Sequence, residues 1–93
     1  MGMAHTERDK KKLLQRVHRI RGQVEAIERG LEAGQDCYKV LQTVAAARGA
    51  LNGLMAEIVE GHIRSHLLDG DVSASERTEA ANELVDVFRS FLK

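Results

Sequence analysis

Apolar residues recur along this chain in a strict four–three step, and no proline interrupts them. Leu13, Val17, Ile20, Val24, Ile27 and Leu31 form one row; Val40, Val44, Ala47, Leu51, Leu54 and Ile58 form a second. Steps that average about 3.5 residues keep side chains on one face of an α-helix, whereas alternate residues of a strand point to opposite faces. Two long helices are therefore predicted. A shorter row, Ala80, Leu84, Val87 and Phe91, predicts a third. Aromatic residues make up only 3% of the chain and strong helix formers dominate it, so the fold class reads as all-α.

The helix ends are marked by residue type. Thr6 followed by Asp9, and Ser73 followed by Glu76, have the spacing of capping boxes, in which side chain and backbone exchange hydrogen bonds. Gly34 suits a C-terminal stop, and Asp36 suits the cap of the next helix. The predicted limits are residues 7–32, 37–67 and 74–92 within a single domain of 93 residues. A helix of about 31 residues is about 46 Å long, and one equal neighbour with a short third helix cannot cover its apolar row. The expected solution is a second copy of the chain, two hairpins forming an antiparallel dimeric four-helix bundle.

Net charge is zero, but it is unevenly spread. Residues 1–21 hold seven positive side chains against two negative, and the remainder holds seven positive against twelve negative. A basic stripe on a neutral protein is an electrostatic footprint for nucleic acid. A single cysteine cannot form an internal disulfide, and no run approaches 18 apolar residues, so a cytoplasmic protein without a membrane partner is expected. The opening "MGMAHT" formally fits a myristoylation pattern, although a start at Met3 is the simpler account.

The chemistry concentrates in "EGHIRSHLLDG", where His62 and His66 stand four apart. On a helix that spacing puts both imidazoles on one face, within reach of a single metal ion. By itself such a pair is more often ordinary surface or core. Cys37, the one thiol, lies 25 residues earlier, about 37 Å away along the same helix. In an antiparallel pair of second helices, however, Cys37 of one copy meets His62 and His66 of the other. His5 lies about as far before the helical hairpin's turn as the two histidines lie after it, which adds a fourth ligand. His18 falls mid-helix within the basic stripe and reads as solvated. One thiolate with imidazoles suits Ni(II), Co(II) or Zn(II) better than Cu(I), and no metal is required for the fold.

These stretches resemble the CsoR/RcnR family of small bacterial repressors that sense copper, nickel and cobalt, or formaldehyde. "RVHRIRGQVEAIER" and "RGALNGLMAE" carry the likeness, which spans nearly the whole chain. It implies dimers pairing into a homotetramer, and operator DNA bound through a basic face without a helix-turn-helix. The DNA-contacting candidates are Lys10, Lys11, Lys12, Arg16, Arg19, Arg21 and Arg48. Such a surface contacts phosphates and reads groove shape more than base edges. Within the family, His5, Cys37, His62 and His66 match the nickel–cobalt pattern, with the Ala4 amine as a further ligand if the chain starts at Met3. The formaldehyde-sensing branch implies a different chemistry, a methylene bridge between Cys37 and an N-terminal amine. This sequence departs from that branch in lacking proline after the first methionine and in carrying His66.

The expected function is thus a repressor released from DNA by Ni(II) or Co(II), with formaldehyde as the alternative effector. A metal buffer without a DNA role shares the ligands but does not need the basic stripe. A hydrolytic site built from His62, His66 and Glu57 or Glu60 lacks an evident substrate pocket, so no enzyme is expected.

Overall fold

A computed structural model describes residues 7–91, with side chains from residue 9 onward; His5 and Thr6, a candidate ligand and a candidate cap, lie outside the described residues. Three helices follow one another, α1 (Glu7–Glu32), α2 (Cys37–His66) and α3 (Ala74–Phe91). No strand occurs among the described residues, and the all-α class stands. Among them, no helix is long and apolar enough to cross a membrane.

Contacts gather the chain into two units, one holding Glu7–Ala56 and the other including everything from Glu57 onward. The first is the α1–α2 hairpin. Its turn is closed by a Schellman motif: Gln35 N–H donates to the Gly30 carbonyl at 2.8 Å and Gly34 N–H to the Leu31 carbonyl at 3.2 Å. That geometry requires a left-handed residue after the helix, and Gly34 takes it with φ of +66°. The Asp36 carbonyl then accepts the first bond of α2 from Val40 N–H at 3.1 Å.

The apolar rows divide by sevens. Leu13, Ile20 and Ile27 of α1 turn inward, as do Val40, Ala47 and Leu54 of α2. Ile20 and Ala47 are buried to 8% and 5% exposure. The alternate members, Val17, Val24, Leu31, Val44, Leu51 and Ile58, remain 41–65% exposed. One half of each row seals the hairpin; the other half meets solvent in the single chain.

In the second unit, Ala80 of α3 is buried at 4% exposure. The start of α3 is a reciprocal capping box: Glu76 N–H donates to Ser73 Oγ at 3.1 Å, while Glu76 Oε1 accepts from Ser73 N–H at 3.2 Å and from the Ser73 hydroxyl at 3.0 Å. The preceding loop is tied down by Arg77, whose Nη2 donates to the carbonyls of Asp69 and Val72 at 3.2 and 3.0 Å.

Two measurements test these local devices. Gly34→Ala puts a Cβ at a left-handed position and is expected to cost about 1 kcal/mol, read as a lower urea midpoint at unchanged slope. The hydrogen bonds from Ser73, backbone first, hold the Glu76 carboxyl below its ordinary value of 4.5. A carboxylate with a lowered folded pKa contributes stability above 4.5 and loses it as pH falls through the folded value. Wild type is therefore expected to melt above Glu76→Gln at neutral pH, with the gap closing in acid; a gap constant from pH 7 to pH 3 rules this out.

Candidate effector site and nucleic-acid interface

His62 and His66 occupy the last two turns of α2, half-buried, with ring centroids 4.9 Å apart and planes tilted by 50°. The four-residue spacing dictates that approach, because residues i and i+4 are neighbours on a helix surface. Two imidazoles on one helix face are a donor pair of the kind a single small cation can take.

The structure adds what holds the first ring. His62 Nε2 lies 3.2 Å from the Ala80 carbonyl of α3 and 3.8 Å from Glu83 Oε1. A carbonyl can only accept, so a hydrogen bond there requires Nε2–H, and in neutral His62 the lone pair then sits on Nδ1. Metal-binding histidines commonly have their other nitrogen engaged in this way. Glu60, which the sequence offers as a neighbouring carboxylate, pairs instead with Arg64 at 3.0 and 3.2 Å. Sequence reading missed Ala80 and Glu83 because α3 meets His62 through tertiary packing, and a backbone acceptor has no residue-type signature.

Cys37 is the first residue of α2 and its thiol is exposed. Among the described residues, no group of three or more His, Cys, Asp and Glu side chains gathers around a possible metal position. One chain therefore brings together His62 and His66 but not Cys37, which begins the same helix. The donor chemistry of the histidine pair fits a divalent metal of the later first-row series, for which imidazole is a suitable ligand.

The basic candidates separate by exposure. Lys10, Lys11, Lys12, Arg19, Arg21 and Arg48 are exposed, whereas Arg16 is half-buried. Lys10, Lys11 and Arg19 line one open groove with Leu14, Gln15 and His18. His18 Nδ1 also lies 3.2 Å from Arg21 Nη2, which donates to it. The ring is exposed within the cationic surface, as its mid-stripe position in the sequence suggests.

Residues 9–90 match the family described as metal-sensitive transcriptional repressors. The chain belongs to that family. This repressor is 54% identical over 91 residues to a Serratia marcescens protein known by its place in the bioA 5′ region, covering 98% of this chain and all of that one. It is 42% identical over 92 residues to the transcriptional repressor RcnR of Salmonella arizonae, with 98% and 100% coverage. Among solved structures, it resembles a glutamate-to-histidine variant of the formaldehyde-responsive regulator FrmR of Salmonella enterica serovar Typhimurium. The identity there is 48% and the TM-score 0.87, over 94% of this chain and 98% of that one. Repressors of this family act on operator DNA and are not enzymes.

Proposed function

We propose that this repressor assembles as a tetramer of antiparallel dimers and leaves its operator when Ni(II) or Co(II) binds between protomers. His62 and His66 would supply two imidazoles, a second copy would supply Cys37, and His5 would complete the donor set. The observation that carries the metal reading is the paired imidazoles at the end of α2, with His62 Nε2 directed at the Ala80 carbonyl. A hydrogen bond from Nε2–H of a neutral His62 to that carbonyl would leave Nδ1 as the donor to a metal.

The half-row of exposed residues supports the dimer. Val17, Val24, Leu31, Val44 and Leu51 repeat by sevens along both helices of the hairpin, the pattern a four-helix bundle buries. At about 25 cal/mol per Å² of apolar surface, leaving such rows in water is unfavourable. Leu51→Glu places a charge in that row and is expected to shift the assembly to smaller species in sedimentation velocity. An unchanged sedimentation coefficient would mean that this row is not the interface.

The bound metal would be a Lewis-acidic centre that holds these donors together. The chain's part is to couple them: His62 contacts α3, and His5 precedes the basic residues of α1. Drawing the start of α1 toward the site would move Lys10, Lys11 and Lys12 relative to the phosphates they contact. Effector and DNA then oppose each other through a coupling free energy, typically about 1–3 kcal/mol per effector.

A second reading is favoured by the 48% identity to a formaldehyde-responsive regulator and by the exposed Cys37 thiol. There the thiol and an N-terminal amine condense with formaldehyde: one C–S and one C–N bond form, and the carbonyl oxygen leaves as water. Anaerobic titration of reduced, tag-free protein with Co(II) separates the two. The nickel–cobalt reading expects an intense near-ultraviolet thiolate band at one metal per protomer, absent in Cys37→Ala and weakened in His66→Ala. Without such a band, a mass increase of one carbon atom per crosslink (formaldehyde added, water lost) on formaldehyde treatment would establish the second reading.

A further inference from the structure

Leu14 is 57% exposed and belongs to neither half of the apolar row that builds the hairpin. It stands instead in the open groove of α1, whose lining falls into two rows of four-residue steps. Lys10, Leu14 and His18 form one row, and Lys11, Gln15 and Arg19 the other. Residues four apart are neighbours on a helix surface, so the two rows run side by side along one face. Two lysines stand at one end, Arg19 and His18 at the other, and the uncharged pair Leu14 and Gln15 between them. No carboxylate interrupts α1 from Lys10 to Val24. His18 also has a proton to give: Arg21 Nη2 can only donate to Nδ1, so the neutral ring carries its hydrogen on Nε2.

The spacing of this strip fits double-stranded DNA. Eight residues at 1.5 Å each set its two ends about 12 Å apart. The major groove of B-form DNA is about 12 Å wide and admits an α-helix. A helix laid across it puts one charged end near each strand's phosphates and its middle over the base edges. We infer that Leu14 and Gln15 read an A·T base pair directly, between phosphate contacts from Lys10 and Lys11 on one side and Arg19 and His18 on the other. The inference rests on the proposed DNA role of this basic face. A glutamine amide sets a donor beside an acceptor, which matches N7 and the N6 amino group of adenine. A leucine matches the thymine methyl, the apolar group of that pair. Phosphate contacts fix position without carrying sequence, so discrimination enters through the two uncharged side chains.

The full chain is first used to select its preferred site from a pool of randomised duplexes of about 30 base pairs. Affinity for that site and for a mixed-sequence duplex is then measured across a salt series. Wild type is expected to weaken roughly 5- to 100-fold when one A·T pair of the site becomes G·C, and Gln15→Ala to bind both versions alike. Replacing the thymine of that pair by deoxyuridine removes a single methyl group. Wild type is expected to weaken roughly 2- to 4-fold on that change, and Leu14→Ala not at all. Both variants are expected to keep wild-type affinity and salt slope on the mixed-sequence duplex, and Leu14→Ala to sediment as wild type. A Lys11→Ala, Arg19→Ala double variant is expected to weaken on every duplex with a shallower salt slope.

A selected site in which no preference depends on Gln15, or in which the dependent pair is G·C, overturns the reading role. So does a deoxyuridine effect that persists in Leu14→Ala, or an equal loss on every duplex in either uncharged-residue variant. A changed sedimentation coefficient in Leu14→Ala would assign the leucine to the assembly and overturn it as well. Wild-type affinity and slope in the double variant instead overturn the basic face as the DNA contact, and the reading role with it.

Discussion

Everything in this chain hangs on the way two helices share one apolar row each. Ile20 of α1 and Ala47 of α2 are the buried apolar side chains of the described hairpin, and a residue as small as alanine permits close helix approach. Closing the hairpin consumes every seventh position of each row and no more. The alternate positions are apolar, regularly spaced and left outside, so the fold of one chain is half of a packing problem. In the proposed assembly a second, reversed copy would bring the Cys37 end of one α2 to the His62 and His66 end of the other.

The end of α2 has a different character from its middle. There the packing is with α3, and polar groups decide it: Arg77 gathers two loop carbonyls, Ser73 and Glu76 cap each other, and His62 meets the Ala80 carbonyl. Individually such bonds contribute about 1 kcal/mol each, yet together they determine where α3 lies against His62. The part of the protein proposed to sense an effector is thus held by directional contacts, while the hairpin is held by non-directional apolar contact. That division suits a site that must respond and a scaffold that must not.

The helices were legible because their signals are local. A four–three row reports a helix wherever it runs, and Ser73 with Glu76 reports a capping box from spacing alone. The histidine pair was legible for the same reason, as i and i+4 on one element. What stayed hidden was relational. Nothing in the row of Leu13, Val17 and Ile20 says which members turn inward, because that depends on how far α1 is rotated against α2. Nor does a basic stripe say that Arg16 is half-buried against Gly53 while Arg19 is exposed. Rotation and register arise only when two elements meet, and a single sequence records them weakly.

The bond from His62 to Ala80 has a consequence for how this site would be mapped. Its acceptor is a main-chain oxygen, so on the α3 side this contact is written in no side chain. Truncation scanning has nothing to remove at position 80, which is already alanine, and would return a blank at the very contact that orients the ring. Chemistry that edits the backbone itself, such as an amide-to-ester exchange at the following bond that weakens the Ala80 carbonyl as an acceptor, reaches what side-chain replacement cannot.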